Sequence, residues 1–308
     1  CDKIVPGLLM AAARLDIPAI FVNGGPMLPA DYCGKHYDGN IVTEAIGWKQ
    51  RGNITEEEFR RIEDLAEPCV GSCAMLGTAN TMGCLAEAMG MALPGSATVP
   101  AVYAARGRIA YKTGEAIVSL VKKGITARRI ITHAAIENAV SVLMGIGGST
   151  NGILHLQAIH REAGLGDLPL SVFDDFSRKT PQVASVYPAS PYDMADFHEA
   201  GGVPAVMLEL QAYLHRDALT VTGKTVGENL GAFSPTARRE IIRTVLSALG
   251  TFAVVLRQTG EPVGSAGYFK PHMACFTPGP NEMELGYWIG VPYWGQGLIP
   301  EAVRALQD

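Results

Sequence analysis

From its first residue to about residue 232 the chain alternates helical patterns with short apolar runs, and two of those runs end in paired glycines. Helices that regularly separate buried strands pack best on the two faces of one sheet. The order therefore predicts an α/β domain with a mostly parallel sheet flanked by helices. Leu8 to Leu15 reads as a helix and Ile17 to Val22 as a buried strand ending in Asn23-Gly24-Gly25-Pro26. Thr55-Glu56-Glu57-Glu58 is a capping box, in which hydroxyl and carboxylate satisfy free amides reciprocally. It opens a helix whose Phe59, Ile62, Leu65 and Ala66 recur at helical spacing. Further helices are predicted over 78–91, 114–123, 134–144 and 152–163. Gly24-Gly25 and Gly147-Gly148 follow apolar runs, where ligands sit in open α/β sheets.

Near Phe233 the pattern changes. Ser234-Pro235-Thr236 predicts the cap of a helix over 237–249. Strands follow over 252–257, 263–269 and 283–291, and a last helix over 299–306. The expected organisation is a first domain over 1–232 and a smaller, partial α+β domain over 234–308.

Composition narrows the function. Charged residues make up 18% of the chain and the formal net charge is -5, with no basic cluster, which argues against nucleic acid as a partner. No run of eighteen apolar residues exists to span a membrane. Six unevenly spaced cysteines in 308 residues do not read as a disulfide framework, so a reducing, cytoplasmic compartment is expected.

The opening residues carry the most chemistry. Cys1, Asp2 and Lys3 place a thiol, a carboxylate and an amine side by side, and Cys69-Val-Gly-Ser-Cys73 lies in a Gly-rich segment. Thiolates select soft metals and iron–sulfur clusters, whereas carboxylates prefer hard divalent cations. On spacing alone, Cys69, Cys73 and Cys84 read as packed thiols rather than ligands, and Asp2 as a surface charge paired with Lys3. Gly147-Gly148-Ser149-Thr150-Asn151 precedes a helix. Its free amides and hydroxyls form either an anion site or a plain cap. His155 and His160, five apart, read as packing or surface residues. His133 and Glu137, four apart, read as a solvated helical pair. A chain that opens on a candidate ligand is also expected to have lost an earlier segment.

The segments CDKIVPGLLMAAARLDIPAIFVNGGPM, PCVGSCAMLGTANTMGCLAEAMGMALPGS, HAAIENAVSVLMGIGGSTNGILHL, FSRKTPQVASVYP and DALTVTGKTVGENL, taken in order, resemble the dihydroxy-acid dehydratase family. Phosphogluconate and sugar-acid dehydratases belong to the same family. The resemblance covers residues 1–232 and implies a hydro-lyase that converts a 2,3-dihydroxy acid to a 2-keto acid, as in valine and isoleucine synthesis. It leaves open whether the substrate is a branched-chain or a sugar acid. It implies an iron–sulfur cluster, two-iron in preference to four-iron with the type left open, and with Cys1 and Cys73 as ligands. It also implies Mg2+ held by Asp2 and by Lys3 as its carbamate, and a homodimer. Ser149, Thr150 and Asn151 are the candidate substrate-binding residues; no catalytic base is assigned. In the family, a further cluster cysteine and a magnesium aspartate precede this region, and the proposed base serine follows it. The resemblance therefore implies a defective site in this chain.

The segments FAVVLRQTGEPVGSAGYF and MELGYWIGVPYWGQGLIPEAVRAL resemble GNAT-type N-acetyltransferases over 234–308. That likeness implies an acetyl-CoA loop at Gly295, Gln296, Gly297 and Leu298, although Pro292 departs from the family's preferred Arg or Gln. It offers two alternative readings: an acetyl-CoA-dependent N-acetyltransferase, or an inert fusion.

Overall fold

The computed structural model describes residues 2–32 and 35–245, and beyond them the backbone of three strands at 251–255, 262–269 and 284–289. The chain divides into two compact units, Cys1–Arg243 and Thr244–Asp308.

Twelve α-helices are found among the described residues, all in the first unit: α1 (Ile4–Leu15), α2 (Asn40–Gln50), α3 (Glu56–Leu65), α4 (Thr78–Ala88), α5 (Ala104–Lys123), α6 (Ala127–Ile130), α7 (His133–Ile146), α8 (Asn151–Glu162), α9 (Leu170–Lys179), α10 (Met194–Glu199), α11 (Gly202–Glu209) and α12 (Val226–Leu230). A short antiparallel pair, β1 (Ala30–Tyr32) and β2 (Lys35–Tyr37), accompanies them.

The core is built on α4 and α7, which pack on each other and on α8, with α1 and α11 against α4. Nearly all of α4 is buried from Asn80 to Ala88, and α7 is buried along most of its length. A helix apolar on most sides must lie at the centre of its unit rather than on its surface. Thr132 caps the start of α7 by accepting from the Ala135 amide, and Gly147 ends it in the left-handed region at φ 61°. There Gly serves because it has no Cβ to clash. A satellite core joins α2 and α3 through Ile41, Ala45, Ile62 and Ala66, with Trp48 and Phe59 against them. The Thr55–Glu58 capping box that opens α3 is present in both directions.

Among the described residues no mostly parallel sheet is found, and the first unit is mostly helical instead. The predicted strand over 17–22 runs as an irregular extended segment that makes isolated parallel bridges, Phe21 to Ala92 and, farther on, Pro26 to Ser72. Pro18, Pro26 and Pro29 have no amide to donate, so a continuous ladder cannot form along this stretch. Ile17 and Val22 are exposed rather than buried.

The expected helix over 237–249 also differs. Residues 237–244 form turns and a bridge in which Ile242 pairs with Ala184, and the Arg243 amide donates to the Val183 carbonyl. Ile241 and Ile242 are both buried there. In the second unit β3 (Thr251–Val255), β4 (Pro262–Phe269) and β5 (Glu284–Ile289) form one antiparallel sheet in that order. The predicted helix over 299–306 lies outside the described residues.

Candidate functional site

Three helix starts meet at one point. Arg14 near the end of α1 pairs with Glu162 at the end of α8, at 2.6 Å. Asp2, just before α1, acts electrostatically on His155 in the second turn of α8. The two helices therefore run side by side in one direction, with their N-termini at the same end. The start of α4 joins them through Thr78. Its hydroxyl lies 3.0 Å from the Ser149 hydroxyl and accepts from the Asn151 side-chain amide at 3.0 Å. None of the three helices has a side-chain hydrogen bond from its N-cap residue. Their first amides and aligned dipoles favour negative charge at the meeting point.

Asp2 supplies such a charge. Its carboxylate is 2.5 Å from the Lys3 ammonium, and both side chains are at least half exposed. The Lys3 hydrogen bond, with help from Thr78, holds the Asp2 carboxyl below the usual range. Gly148 lets the adjoining loop lie against α4, since a Cβ there would crowd Leu143 and Thr81. The Ser149 amide then donates to the Thr81 hydroxyl at 3.1 Å. Ser149 and Asn151 are thus tied to Thr78 and to each other, while Thr150 stands at the N-cap of α8.

Cys73 belongs to the same neighbourhood. Asp2 contributes to the field at its thiol, which is pushed up first by desolvation and then by Asp38, Glu67 and Asp2. Buried Asn80 fixes the loop that carries it. The Asn80 side chain donates to the carbonyls of Cys73 and Met75, both at 2.7 Å, and accepts from the Ser72 hydroxyl at 2.6 Å. Cys73 is exposed, whereas the Cys69 sulfur accepts from the Leu28 amide and Cys84 is sealed in the core with its thiol pushed strongly upward. Among the described cysteines only Cys73 presents a thiol to an incoming group. Cys1 lies outside the described residues, as do Gly295, Gln296, Gly297 and Leu298.

The donors present fit a hard cation and a soft cluster as neighbours. A carboxylate suits magnesium, and a lysine carbamate adds oxygens of the same kind; an accessible thiol suits iron. The buried imidazole of His155 adds a polar nitrogen, Nε2, that has no partner among the described residues.

Other candidates take structural roles. His133 does not pair with Glu137 but hydrogen-bonds buried His160 at 3.0 Å, while Glu137 pairs with His215. His36, Asp193 and Asp196 cluster closely, but the Asp193 and Asp196 carboxylates cap α10 reciprocally and His36 pairs with Asp193. A cavity of about 620 Å³, lined by Asp38, Glu44, Trp48, Ala74 and Tyr187 among others, opens beside the Cys73 loop. Sequence reasoning missed Thr78 and His155. The signal for His155 was its position four residues after Asn151, one turn along the same face of α8.

An exposed thiol, a carboxylate–lysine pair and hydroxyls at converging helix starts define a class of site suited to oxygen-rich anions and metal ions. The family model described as Dihydroxy-acid/6-phosphogluconate dehydratase N-terminal matches residues 1–229, and the chain belongs to that family. A dihydroxy-acid dehydratase of Halothermothrix orenii is 55% identical over 232 residues, covering 75% of this chain and 42% of the relative. One from Methanosarcina barkeri is 50% identical over 271 residues, covering 86% and 49%, and one from Pyrococcus abyssi is 49% identical over 247, covering 80% and 44%. The chain thus spans less than half the length of these relatives. An acetyltransferase (GNAT) domain model matches residues 186–308.

Proposed function

We propose that residues 1–232 form the cluster- and cation-binding part of a hydro-lyase that dehydrates a 2,3-dihydroxy acid to a 2-keto acid. The observation that carries this reading is the Asp2–Lys3 pair at the meeting of α1, α4 and α8, with the exposed Cys73 thiol within its electrostatic reach. Asp2 and carbamylated Lys3 would hold Mg2+, and Cys73, with Cys1, would hold an iron–sulfur cluster. When bound, such groups supply Lewis acidity to hydroxyl and carboxylate oxygens.

The chain's own residues bind and orient. Thr78, Ser149 and Asn151 offer hydroxyl and amide donors, and with the first amides of α4 and α8 they suit a substrate carboxylate. Asn80 keeps the Cys73 loop in one position, so that the thiol and the carboxylate stay in register. The overall change removes the proton on carbon 2 and the hydroxyl on carbon 3 as water, leaving an enol that becomes the ketone. The family's substrates favour a small dihydroxy acid. A branched-chain acid and a sugar acid are the two to compare, with consequent roles in branched-chain amino acid synthesis or sugar-acid breakdown.

The test is an anaerobic dehydration assay on both acids with Mg2+ present, comparing the reconstituted chain with Asp2→Asn. Formation of 2-keto acid that Asp2→Asn abolishes supports the reading. Equal turnover in the two proteins refutes it; turnover in neither refutes catalysis by this chain alone, and iron and sulfide retention then decides the binding role.

A second reading concerns residues 234–308, where the acetyltransferase match and the antiparallel β3–β4–β5 sheet favour an acetyl-CoA-binding fragment. A rise in thermal midpoint with acetyl-CoA, lost on replacing Gly295 and Gly297, tests it; an unchanged midpoint counts against it.

A further inference from the structure

His155 is 6% exposed, and its Nε2 is buried with no partner among the described residues. Buried polar atoms are nearly always paired, so an orphan asks for an explanation. The surroundings supply one. Asn151 and His155 lie one turn apart on α8, and Asn151 reaches Thr78 at the start of α4. With α1 packed along α8 and their far ends joined by Arg14 and Glu162, His155 lies toward the end of the unit where Asp2 and Lys3 sit. Packing alone does not require a nitrogen here. A carbon ring of the same shape would fill the space without leaving a polar atom unsatisfied.

We propose that His155 is a positioning residue whose Nε2–H is reserved for an oxygen of the cation's ligand set, either the Asp2 carboxylate or the Lys3 carbamate. The Lys3 side chain takes up the Asp2 carboxylate itself, at 2.5 Å. Carbamylation joins the neutral Lys3 amine to CO2, forming an N–C bond and releasing a proton, and leaves an anion in place of a cation. That change frees Asp2 from its internal partner and adds acceptor oxygens beside the imidazole. The Nε2–H then finds the acceptor it lacks, and the hydrogen bond fixes how the oxygens face the cation. Outer partners of this kind contribute on the order of 10- to 100-fold in metal affinity.

The inference rests on Asp2 and Lys3 forming a cation site. It is tested on the full chain in bicarbonate buffer by titrating Mn2+ and following the free-ion electron paramagnetic resonance signal. The proteins compared are the unmodified chain, Asp2→Asn, His155→Phe and His155→Gln, with the metal-free thermal midpoint of each. Gln carries an N–H near the position of Nε2, whereas Phe keeps the ring and loses the donor. Expected are loss of binding in Asp2→Asn, a weakening on the order of 10-fold or more in His155→Phe, and recovery of most of it in His155→Gln. The metal-free midpoint of His155→Phe should equal or exceed that of the unmodified chain. A purely packing role would give the opposite order, with Gln the less stable protein and Phe binding Mn2+ normally, and would overturn the inference alone. Unchanged Mn2+ binding in Asp2→Asn would overturn both the inference and the cation site beneath it.

Discussion

Asn80 illustrates how one side chain serves both stability and site. Itself buried, it bonds two carbonyls and one hydroxyl in the half-buried loop that bears Cys73. Asn80→Leu fills a similar volume but removes all three hydrogen bonds; the Ser72 hydroxyl keeps the Gly25 carbonyl and the Met75 carbonyl keeps the Gly77 amide, while the Cys73 carbonyl loses its partner. The expected cost is about 2 kcal/mol in urea unfolding, from one orphaned carbonyl and the loss of the bonds that tie the loop to α4. A loss below about 1 kcal/mol would mean that the loop finds other partners. Glu87 is a second such residue. Burial pushes its carboxyl up from 4.5 to about 7, although the amides of Gly95 and Ala97 donate to it at 2.7 Å and favour its ionised form. Its folded value lies above the unfolded one, so the folded state holds the extra proton between the two. Stability from this group is full below about 4.5 and is lost as pH rises through about 7, by about 3 kcal/mol in all. Glu87→Gln should flatten that part of the pH–stability curve; an identical slope in both proteins would contradict the assignment.

At the scale of elements, the turn at Gly24-Gly25 shows why paired glycines need not be equivalent. Gly25 has φ 85°, and a Cβ there would overlap the Val99 carbonyl and the Arg106 guanidinium. Arg106 in turn donates to carbonyls of Asn23, Ser96 and Val99, holding this turn to the segment before α5. Gly24 has open space around its missing Cβ. Gly25→Ala should cost about 3 kcal/mol, from strain at positive φ and the displaced carbonyl, and Gly24→Ala less than about 1 kcal/mol. Equal thermal shifts for the two would contradict this. The loop at Gly147-Gly148 obeys the same logic with a different outcome. One glycine ends α7 and the other lets the chain reach Thr81, which sets Ser149 and Asn151 against Thr78.

Across the whole chain, helices with clear periodicity were legible in the sequence, including α1, α3, α4, α7 and α8. The error was one of fold class. Alternation implied a parallel sheet, but prolines in the extended segments prevent ladders from forming, and single bridges take their place. Shorter helices escaped because few apolar positions mark them, although Asp193–Asp196 and Thr225–Glu228 carry the capping boxes that open α10 and α12. The candidate site divides in the same way. Cys1, Asp2, Lys3 and Cys73 are proposed through family motifs, since spacing alone reads Asp2 and Lys3 as a surface pair, and the two do form an exposed ion pair. Thr78 and His155 were not reached, because what distinguishes them is convergence of three helix starts distant in sequence. No described helix is long and apolar enough to cross a membrane.

The most direct test of a single centre built on Asp2, Lys3 and Cys73 is anaerobic reconstitution followed by quantification of iron and sulfide in three proteins. The unmodified chain and Cys69→Ser should retain both, since the Cys69 sulfur is turned to the Leu28 amide. Cys73→Ser should lose most of them. Equal iron and sulfide in Cys73→Ser and the unmodified chain would contradict the account.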